Sequence, residues 1–214
     1  AVSVASQLPI ISETIKSASV DLTASNASLY SDDVVFQFYS KSRDIKINKW
    51  PGSGEKISED RKLDFLELNK IEHWRRKLSN FWNAEFELDG LSWYSVEHYY
   101  QANKFKYDDA SPEVLDFYRQ FALDTGSNIS QSPKLAKSAG GKSGFIQIKG
   151  VGREYIRPKG LKNAINPHFF AHGNKDAVMK RAMKAKFTQN EDMKQLLLAT
   201  KDAKLVHFQR GSPP

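Results

Sequence analysis

The 214-residue chain has no cysteine. That excludes disulfides, thiolate nucleophiles, Cys-ligated zinc and iron–sulfur clusters, and it leaves catalysis to carboxylates, lysines, histidines, hydroxyls or a metal held by oxygen and nitrogen. No apolar run approaches the roughly 20 residues that a bilayer span needs. The opening stretch AVSVASQLPIISETIKSASV has neither the basic region nor the long apolar region of a signal peptide. An intracellular, cytoplasmic setting is expected, without a membrane partner. In that setting the Asn-X-Ser matches at Asn26 and Asn128 imply no glycosylation. Fixed-period repeats and low-complexity tracts are also absent.

What is present is aromatic and basic. With 40% apolar residues, 13 Phe, 8 Tyr and 4 Trp, the chain is too aromatic for a disordered polymer, and its length suits one domain or one domain plus an arm. It has 32 Lys and Arg against 25 Asp and Glu, a net charge of +7, which favours an anionic partner. Polyphosphate, nucleotide and nucleic acid all remain open.

Residues 1–31 are rich in Ser and Ala and read as an N-terminal arm with a short helix near Ile10 to Ile15. Residues 32–214 read as the folded domain, with a charged insertion at about 44–77. Alternation of Val34, Phe36 and Phe38 predicts a strand that delivers Ser40-Lys41-Ser42-Arg43 at its end. Trp50 to Gly54 reads as a turn and Arg61 to Trp74 as a helix or a long charged connection. Phe86 and Leu88 before Asp89-Gly90 predict a short hairpin returning through Ser92-Trp93. Ser95 then stands as N-cap of a helix from Val96 to Lys106, which puts Glu97, Gln101 and Lys104 on one face.

Further helices are expected after Ser111-Pro112, ending by Gly126, and after Ser132-Pro133, stopped by Gly140-Gly141. Phe145 to Ile148 is a candidate strand before a glycine turn at Gly150 to Gly152. Lys175 to Phe187 presents Val178, Met179, Ala182, Met183 and Phe187 as a packing stripe, and Glu191 to Thr200 carries the run Leu196-Leu197-Leu198. Leu205 to Phe208 reads as a terminal strand. The fold class is predominantly α, a compact helix-rich single domain with a few short strands.

Several familiar motifs fail on inspection. Gly52-Ser53-Gly54 lacks the last glycine of a dinucleotide fingerprint and follows no clean strand-to-helix turn. Gly141-Lys142-Ser143 resembles the end of a phosphate loop, but Ala136 stands where its first glycine belongs. His168 and His172 have helical spacing, yet Pro167 precedes them and no acidic third ligand follows at motif spacing. Gly-X-Ser-X-Gly is absent. Neither a metal nor a cofactor is expected. Glu97 is the best carboxylate, behind an aromatic turn whose walls would raise its pKa, with a surface pairing to Gln101 or Lys104 as the alternative. Lys137, just before paired glycines, is either a phosphate contact or a solvated helix-end lysine. Trp82 and Trp93 are either core residues or stacking platforms.

Ordered blocks run through the chain: Phe38-Tyr39-Ser40, Leu78-Ser79-Asn80-Phe81, Gly90-Leu91-Ser92-Trp93-Tyr94-Ser95-Val96-Glu97-His98-Tyr99-Tyr100-Gln101-Ala102, and Lys104-Phe105. Ser132-Pro133, Ala136-Lys137, Gly140, Val178-Met179, Ala182-Met183, Ala185 to Asn190, Leu196 to Thr200 and Leu205-Val206 continue them. Together, across roughly 34–208, they resemble the YbiA-like or NADAR (NAD and ADP-ribose associated) family. Two departures stand out. The charged segment between Tyr39 and Leu78 replaces a short link in bacterial members, and could be a lid, a pocket wall or a partner surface. Phe208 to Pro214 replaces an acidic-Trp-Gly block, which leaves open whether the pocket is complete or follows a different subfamily.

The resemblance implies a mostly helical N-glycosidase. Its substrates would be phosphorylated ribosylamino-pyrimidine intermediates of riboflavin synthesis or, alternatively, ADP-ribosylated guanine on nucleotides or in single-stranded DNA. It implies that Glu97 activates water and stabilises positive charge at the anomeric carbon, with Lys41 as a second candidate participant. Asn80 would orient the ribose, Phe81, Trp82 and Trp93 would form the apolar and stacking wall, and Lys137 would bind phosphate, a role Lys41 shares. Tyr39, His98 and Gly140 complete the expected substrate contacts. A noncatalytic ADP-ribose or nucleotide-binding module is a further alternative. So is a nucleic-acid-associated protein, although no RNP, zinc-finger or helix-turn-helix signature is present.

Overall fold

The computed structural model describes residues 30–47, 49 and 54–208. The expected short helix near Ile10 to Ile15, most of the Trp50 to Gly54 turn and the segment after Phe208 lie outside them. Strand β1 (Ser31–Phe38) follows the alternation in the sequence, burying Val34 and Phe36. Its partner is β6 (Ala203–His207), aligned parallel with Phe36 opposite Leu205 and Phe38 opposite His207. Among the described residues, two antiparallel pairs complete the strands. In the first, β2 (Phe86–Leu88) and β3 (Leu91–Trp93) are joined by the two-residue loop Asp89-Gly90. Both loop residues have positive φ, +56° and +74°, the conformation that matches the twist of a tight hairpin and favours Asp-Gly. The second pair is β4 (Phe145–Ile148) with β5 (Gly152–Tyr155).

The helices are α1 (Trp74–Leu78), α2 (Val96–Ala102), α3 (Pro112–Arg119), α4 (Pro133–Ala139), α5 (Asn174–Gln189) and α6 (Glu191–Ala199). The described residues form one mixed domain with a helix-rich core and short strands. Ser132 caps α4, its Oγ accepting from Leu135 N, with Pro133 at the first helical position. Helix α2 ends at Ala102 and tightens into a 3₁₀ turn over Asn103–Phe105, so the predicted helix to Lys106 is shorter and two-part. The helix after Ser111 stops at Arg119; Gly126 instead ends a separate 3₁₀ turn over Leu123–Thr125.

Two apolar clusters organise these elements. The first is built around Trp93, Val96, Tyr99, Phe105, Phe117 and Phe121, against Ala136 and Ala182. The second unites Val34, Phe36, Phe65, Leu68, Trp74 and Leu196. The charged segment before Leu78 thus contributes core: a 3₁₀ helix over Lys62–Lys70 buries Phe65 and Leu68. Phe36 meets Phe65 and Trp74 edge-on, each with centroids 5.2 Å apart. Two stripes are narrower than predicted. Met183 on α5 and Leu197 and Leu198 on α6 are exposed; Ala182, Ala185 and Lys186 of α5 and Met193 and Leu196 of α6 are the residues that meet the interior fully.

A buried ion pair ties the segment to α1. Arg75 Nε and Nη2 donate to the two carboxylate oxygens of Glu55 at 2.8 Å each, with both side chains almost wholly buried. Removing one partner strands the other charge in the interior, so Glu55→Ala should cost about 3–5 kcal/mol. Lys70→Ala removes an exposed pair with Glu67 and should cost about 0–1 kcal/mol. Urea unfolding of the two variants measures the difference.

Candidate active site

Helix α2 carries the candidate residues Glu97 and Gln101, and Lys104 follows in the 3₁₀ turn at its end. Its first turn is fixed from outside the helix, because Glu97 N–H donates to Asn80 O at 3.0 Å. Ser95 begins the helix in extended conformation without capping it; its Oγ lies 2.8 Å from His98 Nδ1. His98 Nε2 faces the carbonyl of Ile129 at 3.0 Å. A carbonyl only accepts, so Nε2 carries the hydrogen and Nδ1 accepts from Ser95. Burial pushes His98 down to about 4, which keeps the ring neutral.

Glu97, Gln101 and Lys104 form a ladder along one face, as their spacing predicts, but that face is turned inward. Glu97 is only 6% exposed, so the surface-pair alternative is corrected. Gln101 Nε2 donates to Glu97 Oε1 at 2.8 Å, and Lys104 Nζ donates to Gln101 Oε1 at 2.6 Å and to Gly140 O at 2.9 Å. A neutral amide therefore separates a buried carboxylate from a buried ammonium. Burial raises the Glu97 carboxyl above the ordinary glutamate range, opposed by the Gln101 hydrogen bond and the charges of Lys137 and Lys104. Burial also brings Lys104 down to about 8, with Glu97 acting the other way. The ammonium lies over the rings of Tyr100, Phe170 and Phe169 at 5.3, 5.6 and 6.0 Å, contacts that favour its charged form.

Gly140 admits this arrangement. A Cβ there would lie 2.3 Å from Gln101 Oε1, so only glycine lets the end of α4 approach the ladder. Lys137, one turn earlier on α4, reaches over the Phe81 ring at 5.2 Å and acts electrostatically on both Glu97 and His207. Lys104 and Gly140 open onto a cavity of about 560 Å³, also lined by Lys142, Lys162, Asn163, Ile165 and Phe170.

Of the residues expected from sequence, the fold gathers Glu97, Asn80, Phe81, Lys137 and Gly140. Asn80 contributes its backbone carbonyl, while its Nδ2 is turned to Met179 Sδ at 3.3 Å. Two expected contacts are corrected. Trp93 is fully buried in the core, its indole N–H donating to Leu88 O at 2.9 Å, and His98 is fully buried with both ring nitrogens engaged. Trp82 faces Lys77 and His73. Tyr39 lines a separate cavity of about 300 Å³ with Arg43, Arg75 and Phe208, and Lys41 is exposed on the adjoining turn. Lys104 and Gln101 are the site residues that sequence reasoning passed over, although their place on the Glu97 face was visible.

His168 and His172 are exposed in turns and do not share a helix face. Among the described residues, Asp44, Glu72 and His73 offer ligand atoms within 4.8 Å of one another. His73 shows Nδ1 to Asp44 at 3.6 Å and Nε2 to Glu72 at 3.3 Å, and both carboxylates are exposed. Among the described residues, no helix is long and apolar enough to cross a membrane.

Residues 68–210 match the NADAR domain, and the chain belongs to that family. It is 31% identical over 128 residues to the N-glycosidase YbiA of Escherichia coli (strain K12), and equally to that of Shigella flexneri serotype 5b (strain 8401). The matched region spans 60% of this chain and 59% of each of these relatives. The NMR structure of the E. coli protein YbiA aligns with 85% of this chain and 70% of its own at a TM-score of 0.47 and 24% identity.

Gly140→Ala should displace Gln101 and remove an acceptor from the Lys104 ammonium. The lysine should then titrate below about 8. Carbon-labelled lysine NMR reads this directly, and an unchanged titration would show that Gln101 does not support the ammonium.

Proposed function

We propose that this protein is an N-glycosidase that hydrolyses the bond between ribose and base in a phosphate-bearing substrate. The observation that carries the reading is the buried Glu97 carboxylate, separated by the Gln101 amide from the buried Lys104 ammonium. Similarity to relatives named N-glycosidase supports it. The lead substrates are ribosylamino-pyrimidine phosphates of riboflavin synthesis. ADP-ribosylated guanine is the alternative, and shares a ribose carbon bonded to nitrogen beside phosphate.

In the proposed step the C1′–N bond breaks and its electron pair leaves with the base nitrogen. Glu97 faces the oxocarbenium-like carbon and takes a proton from the attacking water, whose oxygen forms the new C1′–O bond. The ammonium of Lys104 returns a proton to the departing base. Lys137 holds the phosphate and Phe81 lies beneath it as apolar wall; Lys41, on its exposed turn, is a more distant phosphate contact. The binding-only reading predicts saturable ligand binding without base release.

Glu97→Gln keeps size and one hydrogen-bonding partner while removing the base, and should lower turnover roughly 10²–10⁴-fold. Full activity in this variant would reject the mechanism. The deciding assay compares release of base from ribosylamino-pyrimidine phosphate and from ADP-ribosylated guanine, the latter as nucleotide and in single-stranded DNA. Lys137→Met should weaken phosphate-bearing substrates selectively.

The pH profile of kcat/KM should be bell-shaped. Glu97 must be ionised, so activity falls with decreasing pH through its raised pKa, at a higher pH than an ordinary glutamate would give. Lys104 must be protonated, so activity falls with increasing pH near 8. Residual activity of Glu97→Gln should lack the acid limb and that of Lys104→Met the alkaline limb.

A further inference from the structure

The cavity beside Lys104 does not end there. Lys142 and Lys162 line both it and a second cavity of about 750 Å³, whose other walls include Phe145, Tyr155, Arg157 and Lys159. Each alone is the size of a small-ligand pocket. Joined through two shared lysines, they make a trough that runs from the end of α2 to the outer face of the β4–β5 hairpin.

None of the residues lining either cavity is acidic. Residues 142–162 contain six Lys and Arg against one Glu, so this short segment holds five of the seven net positive charges of the chain. Aromatic faces alternate with the cations. The Phe145 and Tyr155 rings sit opposite each other across the hairpin at 5.7 Å, with the Arg153 guanidinium 4.9 Å over the first and the Lys159 ammonium 5.2 Å over the second. Tyr155 is half exposed and Phe170 more so, at the two ends of the trough.

The hairpin is held against the site. Arg157 is buried, and its guanidinium donates to the carbonyls of Ala139, Gly141 and Lys142 at 3.2, 3.1 and 3.0 Å. Its charge is therefore spent on the end of α4, whereas Lys142, Lys159 and Lys162 are exposed. Folding alone does not require the exposed rings of Tyr155 and Phe170 beside these lysines. Phosphates on cations and unstacked bases on rings do, and a duplex offers no unstacked base.

We infer that the trough from Lys104 to the β4–β5 hairpin is a binding track for a single-stranded polynucleotide, held by Lys142, Lys159 and Lys162 through its phosphates and by Tyr155 and Phe145 through base stacking. Recognition is of backbone and base faces, so it is independent of sequence and of any modification of the strand. It does not require that Glu97 be catalytic.

The test is fluorescence anisotropy of the full chain with a labelled 15-nucleotide oligothymidylate across a salt series. Saturable binding that weakens with salt is expected. Lys159→Glu with Lys162→Glu should reduce affinity at least tenfold and flatten the log–log salt slope by about 1.4, the share of two phosphates on a single strand. Tyr155→Ala should weaken binding roughly five- to a hundredfold with the slope unchanged. Lys46→Glu with Lys70→Glu makes the same charge change on exposed lysines elsewhere and should have little effect. Circular dichroism melts establish that each variant is folded. The inference is overturned by absence of saturable binding at 50 mM salt, by equal losses in the two double variants, or by wild-type affinity in Tyr155→Ala. ADP competing as well as unlabelled oligonucleotide at equal phosphate concentration would also overturn it, and would mark a pocket for small polyphosphates.

Discussion

The arrangement around α2 depends on keeping two opposite charges buried without letting them collapse onto one another. Direct contact between Glu97 and Lys104 would satisfy both electrostatically in a single buried ion pair. Gln101 prevents this by offering its amide N–H to the carboxylate and its amide oxygen to the ammonium. Each charged group thus has a neutral partner, and the cost of burial shows as a carboxyl that holds its proton more tightly and an ammonium that releases it more readily. Much nearby structure serves that spacing: Asn80 O fixes the start of the helix, Gly140 gives room to the amide, and three aromatic rings surround the cation.

The fold was largely readable because its elements announce themselves locally. Val34, Phe36 and Phe38 show the period of a strand; Asp89-Gly90 dictates a two-residue hairpin; Ser132-Pro133 and Gly140 bracket α4. What local pattern does not contain is which face of an element meets another. The 97, 101, 104 spacing identifies a shared face but is equally compatible with solvent. The inward orientation is set by packing of α2 against α4 and α5, elements dozens of residues away. Lys104 was missed for that reason: a lysine three residues after a glutamine is ordinarily solvated. Trp93 and His98 fail in the opposite sense. They stand in the same motif as Glu97 and invite a ligand role, yet they build the floor that holds the motif in place.

Charge tells a similar story at larger scale. A net +7 describes the whole chain and predicts an anionic partner without locating it. Much of this balance lies in residues 142–162, the β4–β5 hairpin and its flanks beside the ladder, while charges elsewhere are often paired, as in Arg61 with Asp202 and Arg119 with Asp116. The attraction of the molecule therefore has a direction.

The pairing of β1 with β6 carries a different consequence. Lys204 and Asp32, bonded across this pair, are 172 positions apart in sequence. The α2–α3 aromatic cluster joins residues separated by a few turns, whereas the cluster of Phe36, Trp74 and Leu196 closes only when this distant ladder zips up. Closing so long a loop carries an entropic cost before any contact rewards it. The strand pair is thus a costly closure for the chain, and the cluster of Phe36, Trp74 and Leu196 that packs beneath it is what offsets that cost.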